Sequence, residues 1–240
     1  MVSELHIGAR GWQHSQWLTR FYPDDMPDDW RFSFYSNEFR AVLLPQTELL
    51  AADADVVQDW QDDIGEEFTF FIELDQLDSC QECLERLEPL QTLVGGFVLR
   101  PETCTADALA QCVPGLQQWA PVCIDERLAA MDFAVLQFIR QHQLGCCWDA
   151  LHDAPAWREG ELSVALLEGS YDFEPRRLRE VLENCLRNMR GKRQRALFIT
   201  GTITGSPGTQ AMIAAGNAQL AEAPSIDTLR QAVLLRELIE

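Results

Sequence analysis

Eight short apolar runs punctuate the sequence, and seven of them open a segment with helical spacing. The runs are Leu5–Ala9, Ala41–Leu44, Phe68–Leu74, Gly96–Leu99, Val122–Asp125, Gly145–Trp148, Leu162–Leu167 and Ala196–Thr200. Helix-like patterns fall at Glu48–Asp62, Cys80–Leu90, Thr105–Trp119, Met131–His142 and Pro175–Arg190. Strands alternating with helices argue for a parallel sheet with crossover connections. The sixth unit is the exception, because Pro155 and the shortness of Asp149–Arg158 leave room for a turn or a single helical turn. Eight units in one chain favour a closed α/β barrel, an irregular (β/α)8 TIM-type fold, over an open sheet. The length of 240 residues lies close to the roughly 250 typical of that architecture. One domain over residues 1–240 is therefore expected, ending in a helix over about 224–239. Pro224-Ser-Ile-Asp227 signals the start of that helix, with Ser225 or Asp227 as its cap.

The stretch from Ile7 to Pro23 stands out. A strand runs into Gly8-Ala-Arg-Gly11, and Trp12, Trp17, Phe21 and Tyr22 follow before Pro23 stops the run. Glycine permits positive φ or close backbone approach, so this strand leads into a tight loop. The aromatics read either as a hydrophobic plug over the core or as the lining of a ligand cleft, with Trp12 and Trp17 the candidates for lining.

Ile7, Gly8, Gly11, Trp12, Trp17, Phe21, Tyr22 and Pro23 together resemble the opening motif of the YecE-like family, also known as domain of unknown function 72. Ala9 and Arg10 stand where that motif has Thr-Ser. Gly216-Asn-Ala-Gln-Leu220 is similar to the family's closing Asn-Ala-x-x-Leu helix. The resemblance implies an irregular (β/α)8 barrel of no established activity. It also implies losses. The Glu-x-Asn of the family's second strand has become Leu43 and Pro45, and the Arg-x-His-Gly of the seventh has become Leu166-Leu-Glu-Gly169. The eighth strand's Asn-Asn is replaced by Gly201 and Thr202, and the fourth strand's Gln-x-Pro-Pro is reduced to Leu99-Arg-Pro101. The fifth strand's Glu-x-Arg survives as Asp125-Glu-Arg127, and the sixth strand's aspartate is kept as Asp149.

Barrel enzymes place their sites at the C-terminal ends of the strands. That rule gathers Arg10, Glu73, Asp75, Arg100, Asp125, Arg127, Asp149, His152, Glu168, Thr200 and Thr202 at one rim. With the two tryptophans, the ligand-binding candidates are Arg10, Trp12, Trp17, Arg100, Asp125, Arg127, Asp149, Glu168 and Thr202. Asp125 and Arg127 are two apart on one predicted strand and so share a face. They read either as a structural ion pair or as an anion-binding arginine oriented by its carboxylate. Gly201–Gly208 follows the last strand, where barrel phosphate sites often lie, but it has no Walker pattern. No catalytic set can be named. The mouth is expected to take a small polar or anionic ligand, without cofactor or metal.

Composition narrows the partners. Nineteen basic against 38 acidic residues give a net charge of −19, which repels nucleic acid and anionic membranes at long range. No apolar run is long enough to span a bilayer and the N-terminus lacks a signal pattern, so a cytoplasmic location is expected. Eight of the basic residues cluster between Arg176 and Arg195. They read either as the solvated cationic end of a helix or as a docking patch for a protein partner, the basis of an alternative non-catalytic role. The eight cysteines, Cys80-x-x-Cys83 among them, are expected to be reduced core residues.

Overall fold

The structure is a computed structural model that describes residues 4–65, 67–129, 132–157, 160–168, 172–201 and 223–239. Eight parallel strands close into a barrel in sequence order. They are β1 (Leu5–Arg10), β2 (Ala41–Pro45), β3 (Thr69–Leu74), β4 (Val94–Leu99), β5 (Val122–Asp125), β6 (Gly145–Asp149), β7 (Leu162–Glu168) and β8 (Gln194–Thr200). Each matches one of the eight apolar runs to within two residues. The seam pairs β1 with β8, from Leu5 opposite Arg195 to Ala9 opposite Ile199.

Strand alternation sorts the apolar residues into two cores. Ala41, Leu43, Phe71, Val98, Cys123, Cys147, Leu162, Val164, Leu166, Ala196 and Phe198 form one buried cluster inside the ring. The rings of Phe71 and Phe198 meet there at 5.3 Å. Their neighbours in sequence, such as Val42, Ile72, Phe97 and Leu197, join the larger core between the sheet and its helices. Leu43 and Leu166, which stand where the motif that the sequence resembles has polar groups, are thus part of the plug that fills the barrel.

The helices are α1 (Arg31–Glu38), α2 (Gln46–Ala51), α3 (Ala54–Asp62), α4 (Cys80–Arg86), α5 (Ala106–Gln117), α6 (Glu126–Ala129), α7 (Phe133–Gln141), α8 (Pro175–Asn188) and α9 (Ile226–Ile239). The helix expected over Glu48–Asp62 is two helices. Ala52 and Asp53 adopt extended backbone angles and break it. No helix separates β6 from β7 among the described residues, as the shortness of that unit implied. Thr105 caps α5 through Ala108 N–H at 3.2 Å. Of the two candidate caps for α9, Ser225 does the work, accepting from Thr228 N–H at 3.1 Å.

The cysteine expectation needs correcting at one place. Cys80 of α4 and Cys112 of α5 form a disulfide, joining neighbouring crossover helices. Cys83 remains a free buried thiol, so the Cys-x-x-Cys pair does not bond to itself.

The opening loop is held from below. A Cβ at Gly8 would sit 2.1 Å from the Ala41 carbonyl oxygen, so only glycine allows this approach of β1 to β2. Beside it the fully buried Tyr35 hydroxyl donates to Ala41 O at 2.8 Å and accepts from Ala9 N–H at 2.9 Å. Tyr35→Phe strands a buried donor and a buried acceptor. It should cost about 1–3 kcal/mol, read as a lower urea midpoint with an unchanged m-value.

Candidate functional site

The inward-facing positions near the strand ends carry charge where those below carry hydrocarbon. Register places Arg10 last on β1, Glu73 near the end of β3, Arg100 just past β4 and Asp125 last on β5. All four lie on the parity of the interior plug. The sheet thus lifts four distant residues onto one rim directly above an apolar floor.

They form one chain of ion pairs. Arg10 Nε reaches Glu73 Oε2 at 2.5 Å, and Arg100 Nη1 reaches Glu73 Oε1 at 2.7 Å. Arg100 Nε continues to Asp125 Oδ2 at 3.1 Å. Arg127 closes the chain with Nε on Asp125 Oδ1 at 2.9 Å and Nη2 on Oδ2 at 2.7 Å. Its backbone N–H also donates to Asp125 Oδ1 at 3.0 Å. Burial opposes the Arg100 charge, but the carboxylates of Glu73 and Asp125 beside it more than offset this, so its guanidinium is held firmly protonated. Burial likewise opposes ionisation of Asp125, yet the bonds from Arg127 and the charge of Arg100 win and hold its carboxyl below the usual range.

Sequence reasoning missed Glu48. It was assigned to a long helix, whereas α2 is a single short helix directly after β2, and Glu48 folds back over the opening loop. Gly11 has φ +68°, and a Cβ there would lie 2.7 Å from Glu48 Oε1. Glu48 Oε2 is buried with no hydrogen-bond partner. Burial raises its carboxyl to about 7, Arg10 pulling the other way and Glu73 adding to the rise. The signal that could have found it is the glycine itself, since a left-handed Gly11 leaves room for a neighbouring side chain. His14, also near this rim, is held to about 4 by burial, while its Nε2 stands 2.8 Å from Arg10 O. The imidazole is therefore neutral and donates from Nε2 to that carbonyl.

The remaining candidates fall out as follows. Trp12 and Trp17 are 1% and 2% exposed, so both pack into the plug beneath the loop, with Trp17 also bordering a surface concavity beside Ser225. Trp12 packs on Phe32 and Trp60, and Trp17 Nε1 donates to Pro224 O at 2.9 Å. β5 stops at Asp125, so Arg127 lies on α6 and meets its carboxylate by a turn of the chain, not by sharing a strand face. Asp149 accepts from Leu151 N–H at 2.9 Å and lies 3.1 Å from His152 Nδ1, on the exposed side of the rim. Glu168 is exposed at the end of β7. Thr202 and residues 202–208 of the glycine-rich loop lie outside the described residues. In the basic segment, Arg176 and Arg179 pair with Glu180 and Glu183 one turn along α8, Arg193 pairs with Glu161, and Arg195 is buried. Among the described residues no three of His, Cys, Asp and Glu gather closely enough to hold a metal ion.

Two surface concavities of about 370 and 410 Å³ border Trp17 with Ser225 and Trp30 with Asp62, and neither includes a residue of the ion-pair chain.

Comparison with known proteins fits this geometry. Residues 6–199 match the family described as protein of unknown function DUF72. A DUF72 family protein from Thermotoga maritima superposes with a TM-score of 0.65 at 12% identity, covering 98% of this chain and 100% of that one. A DUF72 protein from Enterococcus faecalis gives 0.64 at 12% identity, covering 97% and 95%. A D-psicose 3-epimerase solved in the presence of D-fructose gives 0.55 at 7% identity, covering 98% and 97%. At such identities the likeness is one of fold alone. No curated protein matches the sequence.

Glu48 makes stability depend on pH in a defined direction. Its folded pKa, about 7, lies above the ordinary glutamate value of 4.5, so the folded state holds the proton more tightly between the two. Stability contributed by this group is full below about pH 4.5 and falls until about pH 7. Glu48→Gln should leave the unfolding free energy unchanged near pH 4 and raise it by on the order of 2–3 kcal/mol at pH 8. Denaturation curves at the two pH values check this.

Proposed function

The chain belongs to the DUF72 family, and from that premise we propose that the barrel mouth of this member binds a small oxyanion, a carboxylate, sulfate or phosphate group. The observation that carries the reading is an imbalance of donors over acceptors. Both oxygens of Glu73 and both of Asp125 are taken by arginine. The arginines are not used up in return. Among the described residues, both Nη atoms of Arg10, Nη2 of Arg100 and Nη1 of Arg127 have no protein partner. Three guanidinium groups face two carboxylates, and the side chains of Arg10 and Arg127 are 31% and 56% exposed. A planar fork with open N–H groups suits the paired oxygens of an oxyanion, and the carboxylates behind it fix its orientation.

The reading covers binding and assigns no reaction. Mouth groups that could move a proton are few, with His14 neutral and both network carboxylates committed to arginine. Likeness to a sugar epimerase at 7% identity lends no chemistry to this chain. The alternative role as a docking module finds less support, because two of the four arginines of α8, Arg176 and Arg179, are answered on their own helix.

Calorimetric titration with sodium sulfate in the low millimolar range tests the proposal, below the concentrations at which sulfate stabilises proteins by exclusion. Saturable binding of one ion is expected. Arg127→Ala should weaken it about tenfold or more, the loss of one charge-assisted contact, while the far-ultraviolet circular dichroism stays unchanged. Equal affinity in wild type and variant would remove the mouth as the binding place.

A further inference from the structure

Around Arg10 the rim carries two buried oxygens that no described residue satisfies. One is Glu48 Oε2 and the other is Thr200 Oγ1, at the end of β8 on the parity that faces inward. The seam register sets Ala9 opposite Ile199, which puts Thr200 level with Arg10. Glu48 lies on the other side, its carboxylate against Gly11. A buried oxygen without a partner costs about 1–3 kcal/mol, so two of them flanking a guanidinium with open Nη atoms mark a place where a ligand completes the bonding.

A bare carboxylate is the wrong partner for an oxyanion, since two anions would face each other across a partly dry rim. A carboxyl group is the right one, because its O–H donates. Resting on the oxyanion reading above, we propose that Glu48 is the proton-carrying and specificity-determining residue of the mouth. It binds the oxyanion as a neutral carboxyl that donates one hydrogen bond, and loss of its proton to solvent releases the ligand. Arg10, and the Arg100 and Arg127 behind it, supply the charge, and Glu48 supplies the proton. The site therefore prefers a ligand with an acceptor oxygen beyond those gripped by the arginines, as a tetrahedral oxyanion or a dicarboxylate has.

The groups facing Glu48 are consistent with this role. Arg10 comes from β1 and Glu73 from β3, and the Tyr22 phenol, which donates to Trp12 O at 2.6 Å, senses Glu48 as well. Burial outweighs the pull of Arg10 and leaves the carboxyl near 7, so its proton exchanges in the neutral range. Tyr22 is raised by burial and stays protonated there, and His14 stays neutral. On the far side of the rim, burial also raises Glu126, beside Asp149 and His152. A variant must separate that group from Glu48.

The experiment is sulfate titration calorimetry at pH 6 and pH 8, since sulfate itself does not titrate there. Wild-type affinity should fall about tenfold between the two, following the protonated fraction of a group near 7. Heats measured in buffers of different ionisation enthalpy should show proton uptake on binding at pH 8. Glu48→Gln, neutral at every pH and still a donor, should bind sulfate with a flat pH profile and more tightly than wild type at pH 8. A flat wild-type profile, or a Gln variant that keeps the wild-type slope, overturns the assignment while leaving the oxyanion reading standing. Carbon-detected titration of the Glu48 carboxyl in the ligand-free protein is an independent arm. A midpoint in the ordinary carboxylate range sinks the proposal on its own. Absence of sulfate binding at both pH values ends both readings together.

Discussion

The mouth of this barrel depends on two carboxylates being shared among three arginines. Glu73 and Asp125 each hold two guanidinium groups, and Arg100, the most deeply set, is held by both. Removing charges from water is costly, and the cost is recovered only when geometry is good and every acceptor is filled. Here the acceptors are filled and the donors are not. The chain of pairs spans β1, β3, β4 and the end of β5, so the relative heights of those strands decide whether the bonds can form at all. An apolar plug of Leu43, Phe71, Val98, Cys123, Cys147 and Phe198 lies directly beneath and keeps water from below.

Much of this was legible in the sequence, because the signals were local. Strands announced themselves as apolar runs, and the rule that barrel sites sit at strand ends selects Arg10, Glu73, Arg100 and Asp125 from the sequence. What stayed hidden was set by details of backbone path. A break at Ala52 and Asp53 turned one expected helix into two and left Glu48 in the first of them, free to fold over Gly11. The end of β5 fell two residues before the presumed strand partner, which moved Arg127 to a helix without costing it the ion pair. Trp12 and Trp17 carried a pattern that cannot separate a plug from a lining, since both uses want large flat side chains. The Cys80–Cys112 bond joins residues 32 apart in sequence, a pairing that spacing does not announce.

Set against the resemblance that the opening motif carried, the mouth is rebuilt more than it is emptied. Polar positions on the second and seventh strands are given over to Leu43 and Leu166, which now fill the interior. A carboxylate still reaches the rim near β2, but from the following helix. Function in such folds follows the site and not the scaffold, and a rim that keeps Arg127, carries Arg10 and Arg100 where the resembled motif has other residues, and takes its acid from another element is a different binding surface on the same frame.

The seam has a consequence for how the chain is made. β1 finds its second neighbour in β8, with Leu5 paired to Arg195, and the loop after β1 is tied by Trp17 to Pro224, 207 residues away. On a ribosome the first strand therefore emerges long before its last partner exists. Until then one edge of the growing sheet stays open, and such edges invite pairing with other chains. Gly8 and Gly11 lie on that waiting strand and its loop, and the contacts of Tyr35 with Ala9 and Ala41 hold it to β2, so only its β8-facing side waits unpaired.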